Sequence, residues 1–413
     1  MDNPIILQRQ TRLTGTVGSL PASKSLSNRA LVINALMQNR GRLSNLSLAR
    51  DTRLMIDLLN TPDRVIDARD AGTVMRFLTA FYSVTGQSRI ITGTDRMKAR
   101  PIGELIEALR KLGGILAYSG QEGFPPIETK GFRARPDSVL SVRGDISSQF
   151  ISALMMVGPS LPGGLTLQLK GKIGSRPYLA MTAGLMSHFG VKPDMKDSEI
   201  TVPEGRYMPT DYSVETDWSA ASYWFAFVAL AEEADLMLPG LVSSSLQGDR
   251  AIVDVMKLLG VSATFEAGGL RLGKSAKPVT PIHYDFTDCP DLAQTVIPVC
   301  AALQVPGEFE GLESLRVKET DRVAAMQAEL AKIGAGLDPV GNGKFRLNLG
   351  KSLTGFDKLT ISTYHDHRMA MGFAPWAAVT NLAIENPNVV TKSYPGFWDD
   401  VAAVGFTTDS SMN

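Results

Sequence analysis

The apolar positions of this chain recur at a long spacing. Four amphipathic helical stretches each end in a bulky residue followed by glycine: Leu112-Gly113, Phe189-Gly190, Leu259-Gly260 and Ile333-Gly334. Glycine is the usual stop there, because it enters the left-handed region with no Cβ penalty. Successive copies lie ~70–77 residues apart, a weak internal repeat. The segment DTRLMIDLL at 51–59 reads as an earlier copy without the glycine. A second kind of helical segment, opened by small or polar residues, precedes each of these. Its copies are SKSLSNRALVINALM from Ser23, AGTVMRFLTAF from Ala71, SSQFISALMM from Ser147, WSAASYWFAFVALA from Trp218, DLAQTVIPVCAAL from Asp291 and DHRMAMGF from Asp366. Short alternating runs between them, such as LTLQL at 165–169 and FRLNL at 345–349, read as strands. The pattern predicts about six units of strands plus two helices, so three units per domain would make two similar domains.

Composition narrows the class. At roughly 100–200 residues per domain, 413 residues make two or three domains. Hydrophobic residues at 44% and charged residues at 20% exclude long disorder. Lys+Arg and Asp+Glu are both 42, whereas a non-specific nucleic-acid or membrane-surface binder is basic overall. Any anion site must therefore be local. Cys289 and Cys300 are too few for a disulfide framework or a Cys-rich zinc site and read as thiols of a reducing, cytoplasmic protein. The start MDNPIILQRQ lacks a leader pattern, and the longest apolar stretches, 219–231 and 295–305, fall short of the roughly 18–20 residues that span a bilayer.

Six segments carry candidate chemistry. In the first, Leu26, Ala30, Ile33 and Met37 form a buried helical stripe behind Pro21 and a capping Ser23. Lys24 and Ser25 then fall in the first turn, where the helix dipole prefers an anion, and Arg29 follows one turn later on the same side as Ser25. A lysine there is misplaced for helix stability; either it serves an anionic ligand or it is solvated. In DAGTVMRF, 70–77, Gly72 allows close backbone approach, Thr73 can cap, and Arg76 follows; an ordinary capped start is the competing reading. RMKARPIG, 96–103, places three cations in an expected loop, with Pro101 opening the next helix. Ser147, Ser148 and Gln149 can hold a phosphate at a helix start without net charge, and Ser175 to Tyr178 is similar.

RVKETDR, 316–322, runs into a helix with Val323, Met326, Leu330 and Ile333 on one face. Lys318 and Arg322, four apart, would share a helix face, which is unfavourable unless an anion intervenes. Glu319 could be that anion, or it could perform proton transfer while the cations face a ligand. His365-Asp366-His367-Arg368 has a metal-like HxH, but no other His or Cys cluster supplies further ligands. Asp366 as helix cap with Arg368 facing an anion accounts for it better. Cations thus recur at helix starts in a chain of zero net charge, which argues for one multiply charged anion site between two domains.

In this order, SKSLSNRA, DAGTVMR, RMKARPIG, SSQF, SRPY, QGD, RVKETDR and DHRMAM resemble the 5-enolpyruvylshikimate-3-phosphate synthase family from about Leu20 to Lys392. The resemblance implies an α/β (α+β) fold of two similar domains, each of three βαβαββ units with helices inside and sheets outside. One domain would be 22–214, the other 1–21 plus 215–413, with the active site in the cleft between them. It implies transfer of the carboxyvinyl group of phosphoenolpyruvate to shikimate 3-phosphate with release of phosphate. It implies no cofactor and no metal, and no nucleic-acid or membrane partner; the expected state is a cytoplasmic monomer. By resemblance, Ser25, Arg29, Ser147, Ser148, Gln149, Ser175, Tyr178, Ser314 and Lys318 bind shikimate 3-phosphate. Lys24, Gly72, Arg100, Gln149, Arg322, Arg368 and Lys392 surround phosphoenolpyruvate. Asp291 takes the proton of the attacking hydroxyl, Glu319 serves the methylene carbon, and Lys24 assists the departing phosphate; Lys24 and Asp291 also contact shikimate 3-phosphate.

The chain departs from the family pattern at three places: Asp70 stands for a usual Asn, Phe77 for a frequent Pro, and Ser314 for a common Asn. These leave sensitivity to glyphosate, the family's phosphoenolpyruvate-site inhibitor, open and weaken the assignment of Ser314. Two rivals stand beside this reading: the sister transferase acting on UDP-N-acetylglucosamine, and a non-catalytic anion- or RNA-binding relative. The sister enzyme usually has Lys-Asn where Lys24-Ser25 stands and a cysteine or aspartate at Asp95. A degenerate binding protein would be expected to have lost Asp291 or Glu319.

Overall fold

The computed structural model describes residues 3–135, 138–144, 147–276 and 280–410. The chain divides into two compact units. The split unit comprises Met1–Ser23, Leu48–Arg50 and Glu215–Asn413, and the inserted unit Lys24–Ser47 and Asp51–Val214.

One repeat is written out in Val65–Asp67, helix Gly72–Val84, Arg89–Thr92, helix Gly103–Leu112, Gly114–Tyr118 and Ile127–Phe132. The first two strands are parallel around the first helix, and the last strand lies antiparallel between the second and third. The same parallel–antiparallel–antiparallel order recurs in every four-stranded sheet described: two in the inserted unit and three in the split unit. The sixth repeat is cut short, since among the described residues Leu43–Ser44 pairs only with Tyr212–Ser213, in a two-stranded sheet. The last sheet of the split unit is closed by the opening strand, Ile5–Leu7, between Asn381–Ile384 and Thr408–Ser410.

Helices form the inside of each unit because those that open the repeats are buried on nearly every face. In Trp218–Leu230 every residue but Ser219 is buried; in Ala293–Ala302 only Ala302 is not, and His367–Phe373 is buried throughout. These three pack on one another, as do Lys24–Leu36, Gly72–Val84 and Ser148–Val157 in the inserted unit. Small residues permit the approach: a Cβ on Gly372 would meet the Gln294 carbonyl oxygen at 2.2 Å. The second helix of a repeat has one apolar stripe, as in Gly103–Leu112, where Leu105, Ile106, Ala108, Leu109 and Leu112 are buried. All four expected glycine stops, Gly113, Gly190, Gly260 and Gly334, have positive φ.

Some boundaries differ from expectation. Arg96 and Lys98 are not in a loop but in the short helix Asp95–Lys98, capped by the Thr94 hydroxyl. Pro101 does not open the next helix: Ile102 stands at its N-cap, and Gly103 begins it. Thr73 does not cap Gly72–Val84, whose N-cap is Ala71 with no side-chain bond; the Thr73 hydroxyl accepts from the Gln149 amide instead, at 3.3 Å. Lys318 and Arg322 do not share a helix face, because helix Arg322–Ala331 begins only after its cap Asp321 and Lys318 is extended.

Candidate active site

In the inserted unit, candidate side chains gather at helix starts. Lys24 opens its helix, and its Nζ lies 3.2 Å from Asp51 Oδ2 of helix Arg50–Asn60. Arg29, one turn on, is only 2% exposed. Its Nε donates to the Thr182 hydroxyl at 2.7 Å, Nη1 to the Ser25 carbonyl at 3.0 Å, and Nη2 to the Ser152 hydroxyl at 3.1 Å. Among the described residues no carboxylate pairs with it. Burial pushes its guanidinium down to about 10, against a smaller opposing effect of Tyr178. A buried cation balanced by no acid is costly. It is the expected signature of a seat for an anion.

Two further arginines crowd Gly72. A Cβ there would lie 2.9 Å from Arg100 Nη2 and 3.0 Å from Arg76 Nη1, so glycine lets both guanidinium groups approach the helix start. Arg76 donates to the Gly72 and Pro101 carbonyls, each at 3.3 Å. Arg100 is buried, whereas Arg96 and Lys98 are exposed, so one of the three clustered cations joins the set. Ser147 caps helix Ser148–Val157 by accepting from the Gln149 N–H at 3.3 Å, and Ser148 and Gln149 are half-buried. Ser175 is left-handed, with φ of 55°, at the start of helix Arg176–His188, which carries Tyr178.

In the split unit the hub is Arg322, also 2% exposed. Its Nε donates to Asp366 Oδ2 at 2.7 Å and Nη1 to Asp291 Oδ1 at 2.8 Å. Its Nη2 donates to Glu319 Oε2 at 2.9 Å and Asp366 Oδ1 at 3.3 Å. Four of five guanidinium N–H groups are thus taken by the protein. The anion that reconciles Lys318 with Arg322 is chiefly Asp291, since Lys318 Nζ stands 3.9 Å from the Asp291 oxygen that Arg322 holds. Burial lowers the Arg322 affinity for its proton, but Asp366, Glu319 and Asp291 outweigh it and hold the group above its ordinary value.

Arg368 completes the array. It donates to Asp291 Oδ2 at 3.0 Å, to the Tyr223 hydroxyl at 3.2 Å and to Ser219 Oγ at 3.4 Å. Lys392 Nζ lies 3.9 Å from Glu319 Oε1. For Asp291, burial pushes the carboxyl up, yet Arg368, Lys318 and Arg322 together hold it well below its usual range. Asp366 caps its helix by accepting from the Arg368 N–H at 2.9 Å. His365 is exposed and His367 is buried, so the HxH pair does not converge. Ser314 is exposed in the short turn Glu313–Val317 and makes no hydrogen bond among the described residues.

Sequence reasoning gave no role to Asp51, Ser152, Thr182, Ser219, Tyr223 or Asp249. Asp249 belongs to the QGD segment, and the Ser219 hydroxyl donates to it. Ser219 could have been found as the polar residue in the first turn after the Asp217 cap of a largely apolar helix.

The sequence signature described as EPSP synthase (3-phosphoshikimate 1-carboxyvinyltransferase) matches residues 7–63 and 57–401. The chain is 45% identical over 403 residues to a 3-phosphoshikimate 1-carboxyvinyltransferase of Bacteroides fragilis, covering 97% of this chain and 98% of that protein. It is 35% identical to the enzyme of the same name from Idiomarina loihiensis, covering 97% and 98%. The solved EPSP synthase of Acinetobacter baumannii superposes with a TM-score of 0.76 at 20% identity, over 99% of this chain and 100% of that one, which speaks to the fold. The βαβαββ repeats, the carboxylates gathered on Arg322 and the match along nearly the whole chain agree: this chain belongs to the EPSP synthase family.

Proposed function

We propose that this protein transfers the carboxyvinyl group of phosphoenolpyruvate to a ring hydroxyl of shikimate 3-phosphate, releasing inorganic phosphate through a tetrahedral intermediate. The step belongs to the shikimate pathway toward chorismate and the aromatic amino acids. The observation that carries the reading is the Asp291–Arg322–Glu319 array, two carboxylates held on one buried guanidinium with Arg368 and Lys318 against Asp291. Each substrate brings a carboxylate and a phosphate, roughly five negative charges together. Cations of both units act on them: Arg29 with Ser25, Ser147, Ser148, Gln149, Ser175, Tyr178 and Lys318 for shikimate 3-phosphate, and Lys24, Arg100, Arg322, Arg368 and Lys392, beside Gly72, for phosphoenolpyruvate. Arginine suits both anions because its fork binds them in bidentate fashion. Arg322 has one N–H left for substrate and acts mainly by holding both carboxylates.

Asp291 is the base for the attacking hydroxyl. Without substrate it is a weak one, since three cations stabilise its charge. Substrate anions that share Arg368 and Lys318 weaken that field and raise the basicity of Asp291 when the hydroxyl arrives. Glu319 delivers a proton to the methylene carbon and later removes one, Lys24 serves the leaving phosphate, and the fixed cations stabilise the intermediate. The protein works as a cytoplasmic monomer with no cofactor and no nucleic-acid partner. The test mixes purified protein with both substrates and follows phosphate release and product mass, with UDP-N-acetylglucosamine in parallel. Phosphate release with the shikimate substrate alone is expected; release with the nucleotide sugar alone, or with neither, refutes the reading.

A further inference from the structure

We propose that Phe77 is a positioning residue for shikimate 3-phosphate: its ring face holds the Arg29 guanidinium in the orientation that receives an oxyanion of that substrate. The inference rests on the functional reading above. Phe77 lies in helix Gly72–Val84 and is fully buried. The guanidinium carbon of Arg29 stands over its ring, 5.3 Å from the centroid, and 6.0 Å from the centroid of Tyr178. Two aromatic faces therefore attend a buried cation that no described carboxylate balances. The face of an aromatic ring is its negative region, and this contact strengthens when the cation is desolvated.

The hydrogen bonds agree with a positioning role. Thr182, the Ser25 carbonyl and Ser152 take one N–H each from Nε, Nη1 and Nη2. One N–H on each terminal nitrogen remains, the pair that forks onto a carboxylate or phosphate. An acid packed on Arg29 would satisfy the charge but compete with the ligand for that fork. A ring offsets the burial without taking an N–H. Position 77 therefore bears on the shikimate 3-phosphate side through Arg29, even though its helix begins at Gly72 against Arg100.

The test replaces Phe77 by 3,4,5-trifluorophenylalanine, which keeps ring and packing but strips negative charge from the face. Affinity for shikimate 3-phosphate, by calorimetry, should fall about five- to tenfold, while the KM for phosphoenolpyruvate stays unchanged. Phe77→Leu should weaken shikimate 3-phosphate at least as much; Phe77→Met serves if that variant does not fold. Binding of shikimate itself, which lacks the phosphate, is measured alongside. Loss on both ligands assigns the fork to the carboxylate, loss on the phosphorylated one alone assigns it to the phosphate, and either supports the proposal. Equal affinity of the fluorinated and wild-type proteins, or an equal loss for both substrates, overturns it. A second readout does not depend on the enzyme assignment. The Arg29 Nε–H resonance, identified by its absence in Arg29→Lys, should lose its ring-current shift in Phe77→Leu; an unmoved resonance refutes the packing. Failure of the wild-type protein to bind shikimate 3-phosphate sinks the functional reading and is seen before any variant is made.

Discussion

Replacing Asp249 by Asn should stabilise the split unit at neutral and alkaline pH. Asp249 is buried in the turn Gly248–Ala251; the Ser219 hydroxyl donates to one carboxylate oxygen, while the other has no partner among the described residues. Burial, helped by the charge of Asp291, pushes its pKa from 3.8 up to about 6. A raised value means that the folded protein binds this proton more tightly than the unfolded chain does. The resulting stabilisation is complete below the unfolded value and disappears as pH rises through the folded one. A shift of about two units corresponds to about 3 kcal/mol lost across that window. Asn keeps the shape and never ionises, so Asp249→Asn should abolish this slope between about pH 4 and 6. At pH 8 it should gain about 2–3 kcal/mol, or roughly 4–10 °C for a body of this size. The assay is urea unfolding followed by tryptophan fluorescence across the pH range. Trp218, Trp224, Trp376 and Trp398 all lie in the split unit, so the signal reports the unit that carries the mutation. Asp400, also raised by burial, contributes a slope of the same sign to both proteins and cancels in the difference. A variant no more stable than wild type at pH 8, or with an unchanged slope, would refute this account.

Glu319→Gln should cut turnover by about 10²–10⁴-fold in the phosphate-release assay while shikimate 3-phosphate still binds, because one acceptor for Arg322 remains but the transferable proton does not; near-normal turnover would remove Glu319 from the chemistry. Gly72→Ala places a methyl 2.9 Å from Arg100 Nη2. The long side chain can yield, so melting should barely change, whereas the KM for phosphoenolpyruvate should rise about three- to tenfold as the Arg100 fork is displaced; a KM that stays put would mean Arg100 does not hold that substrate. Tyr364→Phe removes the hydroxyl that donates to the buried Glu329 at 2.7 Å, beneath a turn in which Tyr364 and His365 both have positive φ. It should destabilise the split unit by about 1–3 kcal/mol in the same urea assay, and a smaller loss would show that Lys332 and the Ser362 N–H satisfy Glu329 without it.

The repeat was legible because it is written in local chemistry. Glycine stops and apolar runs such as WSAASYWFAFVALA mark each helix without reference to the rest of the chain. Helix starts near Lys24, Gly72 and Ser148 could be read for the same reason. Tertiary partnership could not be. Lys318 and Arg322 invited a helix-face argument, yet they meet through Asp291, 31 residues from Arg322 in sequence. Thr73 looked like a cap and instead bonds Gln149, 76 residues away. Asp51 and Asp249 passed unnoticed because an acid in a helical first turn is what the dipole alone would ask for. Only its neighbours, Lys24 in one case and Ser219 in the other, give it a further role. The shortened sixth repeat was likewise invisible, since a two-residue strand leaves no alternation to count.

The place of the opening strand sets a timetable for synthesis. Ile5 pairs with Ile384 on one side and Ser410 on the other, so a strand made early waits for two that are made far later. Every strand of the inserted unit finds its partner between Leu43 and Ser213, and that body can close while the remainder is still being translated. A chain that stops short of residue 381 therefore carries a finished middle and an unzipped outer body whose first β-segment has nothing to bind.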